Sequence, residues 1–241
     1  MSPKIRTVVR KEFREYRRNR FIVFTMAAMP VVVLLILVGE TFALPDRIPL
    51  AALRRPVGEA LLFLQLIPVM LPTTIAAYAV IGEREQGTLE TVLTTPVTDR
   101  ELLAGKAIAA ILPAVGISWL LFAVYVGLAQ LFAPAVVVAQ IWTPNQAVAM
   151  ALLTPALAAF AILVGILISL RSTDFRVAQQ LAVLASLPVI GLVALVTFRV
   201  VHPSAVLYAA AAGVVGLMAA ACWHLASALF SRERLLTRFG G

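Results

Sequence analysis

The sequence predicts an all-α polytopic membrane protein, with six transmembrane helices preceded by an interfacial amphipathic helix. Three observations carry that class. Of 241 residues, 61% are hydrophobic and only 13% charged, with a mean hydropathy of +0.97; a soluble domain of this size needs far less apolar surface. Charge is also segregated, since residues 60–82 hold none over 23 positions and residues 107–170 hold none over 64. Finally, the Lys and Arg residues divide by side. With both termini cytoplasmic, 16 of the 20 fall in inside segments, and Arg47, Arg54, Arg55 and Arg199 remain outside. That is the positive-inside bias. It accounts for the net charge of +8 and the pI near 10.5, so no nucleic-acid partner is expected.

Taken in order, residues 4–20 read as a basic amphipathic helix. Ile5, Val8, Val9, Phe13 and Tyr16 recur on one face, and Arg6, Arg10, Arg14, Arg17 and Arg18 populate the rest. Such a helix lies among headgroups, its apolar face in the acyl boundary and its cations on anionic lipid. A cleaved signal peptide is the competing reading, disfavoured by the long basic region and the absence of an A-x-A site. Spans are expected at 21–39, 60–82, 107–132, 147–170, 177–198 and 204–230, each 19 to 27 residues against the roughly 20 that cross the hydrocarbon.

The first span carries Pro30, a kink site. Residues 40–59, with Pro45, Pro49 and Pro56, form a short outer loop in which Leu50–Leu53 could make one interfacial turn. In the second span, Gln65, Pro68, Pro72, Thr73 and Thr74 fit either a bent helix facing protein or a cavity, its hydroxyls serving freed carbonyls, or a kink with no transport role. Residues 133–141 are too short to cross and read as a shallow interfacial or re-entrant piece, with Trp142 at headgroup level. Arg171–Arg176 is a cytoplasmic turn. Ala212, Gly216 and Ala220 form a small-residue ridge on the last span. Cys222, the single cysteine, excludes an intrachain disulfide and is read as a packing residue. Residues 231–241 are a short basic tail.

Between the second and third spans lies a polar island, residues 82–106, with eight charged residues: Glu83, Arg84, Glu85, Glu90, Asp99, Arg100, Glu101 and Lys106. It reads as two helices joined by a turn. Leu89, Val92 and Leu93 give the first a narrow apolar stripe, and Pro96 stops it. Thr98–Asp99–Arg100–Glu101 then fits a capping box that starts the second. A plain solvated loop is the alternative, but it has no need of the stripe.

This stretch resembles the cytoplasmic loop of ATP-binding-cassette permeases of the second export type. The pattern ERE-x-GT-x-E…L-x-x-x-P-V…E-x-L-x-GK is met by Glu83, Arg84, Glu85, Gly87, Thr88, Glu90, Leu93, Pro96, Val97, Glu101, Leu103, Gly105 and Lys106. The resemblance implies that the loop couples to a separate ATPase subunit, with Glu83, Arg84, Glu85, Gly87, Thr88, Leu89, Glu90, Val92, Leu93 and Pro96 at the contact. It implies that residues 1–20 are an elbow helix, that 21–230 form the transmembrane domain with the coupling loop at 83–106, and that the cargo is exported across a bacterial- or archaeal-type cytoplasmic membrane. A second permease subunit, identical or related, and membrane lipids are the other expected partners. ATP and Mg belong on the ATPase subunit. No cofactor, metal or catalytic residue is expected in this chain.

Other function classes are poorly served. There is no G-x-x-x-x-G-K-[ST] phosphate loop and no H-E-x-x-H. Span interiors hold no Asp, Glu, Lys or Arg, which removes the usual relay signature of a secondary transporter. His202 and His224 lie near span ends with no metal-like spacing. A secondary transporter and a non-transporting scaffold for a soluble partner remain as alternatives to the permease.

Overall fold

The computed structural model describes residues 2–43, 49–85, 97–172, 174–198 and 204–229. Among these every regular element is a helix. Helix α1 (Pro3–Arg18) starts at Ser2, whose hydroxyl accepts the Ile5 amide, and ends with Arg17 and Arg18 in its last turn, where cations suit the helix dipole. Asn19 closes it in an extended conformation and then caps the next helix, its Oδ1 accepting the Ile22 N–H at 3.3 Å. One residue therefore makes the corner into α2 (Arg20–Phe42).

Helices α3 (Leu50–Glu85), α4 (Asp99–Phe132), α5 (Ala135–Ile141) and α6 (Pro144–Val148) follow, then a π-helical turn at Ala149–Leu153, α7 (Thr154–Ser169), α8 (Phe175–Thr197) and α9 (Ala205–Leu229). Among the described residues, six segments are long and apolar enough to span a membrane: Ile22–Thr41, Arg55–Ala76, Asp99–Phe132, Ala135–Ser169, Phe175–Thr197 and Ala205–Leu229. The expected count of six stands.

The ends differ from expectation. The outer loop assigned to 40–59 shrinks, because α2 runs to Phe42 and α3 begins at Leu50. Arg55 and Glu59 lie inside α3 as an i,i+4 ion pair at 2.8 Å, an arrangement only a helix provides. Pro56, Pro68 and Pro72 all sit within this 36-residue helix. At the other end α3 continues past Gly82 to Glu85. Helix α4, at 34 residues, is about 51 Å long, so it outruns a bilayer core of about 30 Å.

Helix α3 is the hub, packing on α7, α8, α4 and α2. Its approach to α7 depends on Gly165, where a Cβ would collide with that of Ala76. The polar residues of α3 are spent inside the bundle. Thr154 on α7 donates to Gln65 Oε1 at 3.3 Å, and Gln179 on α8 donates to Thr74 at 3.0 Å. Gln65, Thr73, Thr74 and Thr154 are all buried. Of the surroundings expected for these polar residues, a face packed on protein is the one observed. The hydroxyls of Thr73 and Thr74 do not serve the carbonyls that the prolines free at Leu64 and Pro68; both donate to Met70 O.

A second set of core residues lies toward the other end: Leu37 on α2, Leu53 and Leu64 on α3, Phe122 and Tyr125 on α4, and Val137 and Ile141 on α5. Here Thr41 donates to Leu37 O at 2.7 Å, which leaves the Tyr125 hydroxyl, 2.9 Å away, as donor to Thr41. Val137 and Ile141 anchor α5 at 1% exposure each, so the piece too short to cross is a helix packed on α3 and α4.

Pro155 leaves one carbonyl of the π-turn bare. In such a turn the carbonyl of residue i takes the amide of i+5, and Thr154 N–H does go to Ala149 O. The next carbonyl, Met150, would need an amide from Pro155, which has none. Trp119 on α4 supplies the donor instead, its indole N–H reaching Met150 O at 2.8 Å. A cleft of about 550 Å³ opens beside this contact, walled by Trp119, Phe122 and Trp142.

The ridge of Ala212, Gly216 and Ala220 is not the face α9 buries. Tyr208, Ala211, Val215 and Ala219 are buried, one residue around the helix, and a Cβ on Gly216 would meet nothing within 4 Å. Among the described residues the ridge has no close-packed partner at that glycine.

Candidate coupling site

The polar island begins as an extension of α3, whose backbone carries Glu83, Arg84 and Glu85 in helical conformation. Gly87, Thr88, Leu89, Glu90, Val92, Leu93 and Pro96 lie outside the described residues, and the expected apolar stripe lies there with them. From Val97 onward the geometry is explicit.

The capping box forms. Glu101 N–H donates to Thr98 Oγ at 3.3 Å, and Thr98 N–H donates to Glu101 Oε2 at 3.1 Å. Two otherwise orphaned amides are thereby satisfied. The other carboxylate oxygen of Glu101 accepts the Ser2 hydroxyl at 3.1 Å, and Lys4 stands 3.9 Å from the group. Ser2 thus caps α1 and tethers that helix to the start of α4.

Within the next turn and a half the contact deepens. Leu102 and Leu103 are buried at 3% and 0% exposure. Gly105 faces Val8 so closely that a Cβ there would lie 2.6 Å from Val8 Cβ and overlap its Cγ1. One residue later Lys106 donates to Glu12 Oε1 at 3.1 Å, with side-chain exposures of 3% and 4%. Lys11 lies 3.4 Å from the same oxygen and 3.0 Å from Glu15, so Glu12 accepts from two ammonium groups.

The expected amphipathic N-terminal helix forms as α1. Its apolar face is not left to acyl chains: Val8, Val9 and Tyr16 are buried at 6–7% exposure, and α1 packs on α4 and α2. The cations on its other side stay exposed, as Arg6, Arg10, Arg14 and Arg17 do. Glu12 and Ser2 were not singled out from sequence. The signal for Glu12 was present, because it sits four residues after Val8 and four before Tyr16, in the middle of the apolar stripe. An acid in that place calls for a buried cation.

The arrangement is thus a polytopic α-helical membrane protein with an N-terminal amphipathic helix clamped to the base of a polar inter-span segment. A family model described as ABC-2 family transporter protein matches residues 8–189, well over half of the chain. The chain belongs to this family of ABC transporter permeases, membrane components that pair with an ABC ATPase subunit. The match takes in most of α1, the whole 83–106 segment and the first five spans into α8. No curated protein matches the chain significantly.

Proposed function

We propose that the chain is the permease subunit of an ATP-driven exporter, and that the partner ATPase docks on residues 83–106. ATP and Mg bind on that partner. Closure of the ATPases pushes the segment and tilts α3 and α4 to alternate access, with two permease subunits enclosing the path. Glu83, Arg84, Glu85 and Glu90 contribute charge at the docking surface, and Leu89, Val92 and Leu93 fill an apolar groove on the partner. The observation that carries this reading is the clamp of Gly105 and Lys106 on α1. It makes the base of the segment one stiff body with α1 and α4, so a force applied at 86–96 is passed into a span rather than absorbed by a loose joint.

The test is co-purification of the ATPase and its stimulated hydrolysis for Val92→Asp at matched membrane expression. An unpaired carboxylate at an apolar contact costs several kcal/mol, and about 1.4 kcal/mol is already tenfold in affinity. Binding is expected to fall at least tenfold while insertion is unchanged. Glu90→Ala, a rim charge, should lose about fivefold at most. Wild-type binding and stimulation in Val92→Asp would remove the coupling role from this segment. Direction is tested separately, by ATP-dependent uptake of cargo into inverted vesicles.

A further inference from the structure

At the loop-side ends of α7, α8 and α9 lies a slot of about 450 Å³, lined by Leu167, Ile168, Arg171, Ser172, Leu181, Leu225 and Leu229. That volume lies within the roughly 300–1,000 Å³ range of small-ligand sites. The chain alternates from end to end: α4 leaves the 83–106 side, the segment from Pro144 to Ser169 returns to it, and the turn after α7 therefore shares that side. Leu181 and Leu225, 45% and 57% exposed, form the sides of the slot, one on α8 and one on α9. Leu225 stands one helical turn deeper than Leu229, at the end of α9, and Arg171 and Ser172 form the rim. Among the described residues the Arg171 guanidinium has no hydrogen-bond or ion-pair partner. The acid nearest in sequence, Asp174, is engaged elsewhere, its Oδ1 accepting the amides of Arg176 and Val177 at the start of α8.

We propose that this slot binds one anionic glycerophospholipid, its phosphate on Arg171 and Ser172 and an acyl chain between Leu181 and Leu225. Charge and position select this occupant. Leu181 and Leu225 are exposed on two spanning helices, where the surrounding medium is hydrocarbon, and the Arg171 cation stands at the rim, where headgroups lie. The chain's own tail is a poor competitor, because Arg232, Arg234 and Arg238 against Glu233 give it the same sign as Arg171. The inference is independent of the coupling role of 83–106.

The experiment is native mass spectrometry of the full-length protein titrated with phosphatidylglycerol and with phosphatidylcholine. One retained phosphatidylglycerol and weaker phosphatidylcholine are expected. Arg171→Gln should weaken phosphatidylglycerol about fivefold, the worth of one interfacial cation. Leu225→Trp, which fills the slot and leaves every charge in place, should weaken it as well, and Leu181→Trp repeats that test from the facing helix should the first variant fold poorly. Loss in Arg171→Gln with full retention in both tryptophan variants would reduce the effect to general attraction by basic surfaces such as α1, and overturn the site. Displacement by millimolar inorganic phosphate would make it a small-anion site and overturn the lipid assignment. So would disulfide crosslinking of Leu225→Cys between two copies in a Cys222→Ala background, because a second permease would then occupy the slot.

Discussion

Glu12 and Lys106 show how one residue pair can set the stiffness of a whole segment. Both side chains are almost fully buried, and the oxygen they share also faces Lys11. Removing the carboxylate leaves Lys106 desolvated without it, which typically costs about 3–5 kcal/mol in a buried pair. Glu12→Ala should therefore lower thermal stability and raise hydrogen exchange in α1, whereas Glu12→Leu combined with Lys106→Met should recover most of the loss. Equal destabilisation in the single and double variants would mean that packing around Val8, and not the ion pair, holds the helix. Gly105 sharpens that distinction, because the tightest contacts at its position involve Val8 Cγ1 and Val8 Cβ; a rotamer change moves the first but not the second. These residues also mark the limit of what was legible. Gly105 and Lys106 were recognised through a pattern, yet their partners lie about a hundred residues away on α1. No local rule pairs positions at that separation, and only the buried acid in the stripe pointed inward.

Among elements, those with local causes were read well. The capping box at Thr98–Glu101 is a four-residue interaction and formed as expected. The six spans follow from apolar length. Helix ends were read less well, because α3 carries charges and three prolines without breaking; burial against five neighbouring helices outweighs the local cost of each proline. The π-turn went unread because it depends on a tryptophan on another helix meeting a carbonyl that Pro155 leaves bare. That dependence is testable as a cycle. Trp119→Phe should destabilise the protein by about 1 kcal/mol, the net worth of one hydrogen bond. In a Pro155→Ala background residue 155 regains an N–H for that carbonyl, so the same change should cost markedly less. An identical loss in both backgrounds, read by thermal unfolding in one detergent, would show that the indole contributes packing and not a hydrogen bond.

For the whole molecule, the distribution of charge sets the direction in which the bundle lies in the membrane. α1, the base of α4 and the Arg171–Asp174 turn share one end, and α5 lies at the other. The end that holds α1 gathers most of the Lys and Arg, and by the positive-inside bias that end is expected to be cytoplasmic. The helices themselves are neutral in this choice, since leucines and valines on α2, α8 and α9 face outward all along their lengths, and an apolar belt suits either orientation. Cysteine labelling with an impermeant maleimide in a Cys222→Ala background decides it. A cysteine at Ala139, on α5, should react in intact cells, and one at Gly241 should react only after permeabilisation. Labelling of both from the same side would break the six-span crossing. The reverse pattern would keep the fold but place residues 83–106 outside the cell, beyond the reach of any ATPase.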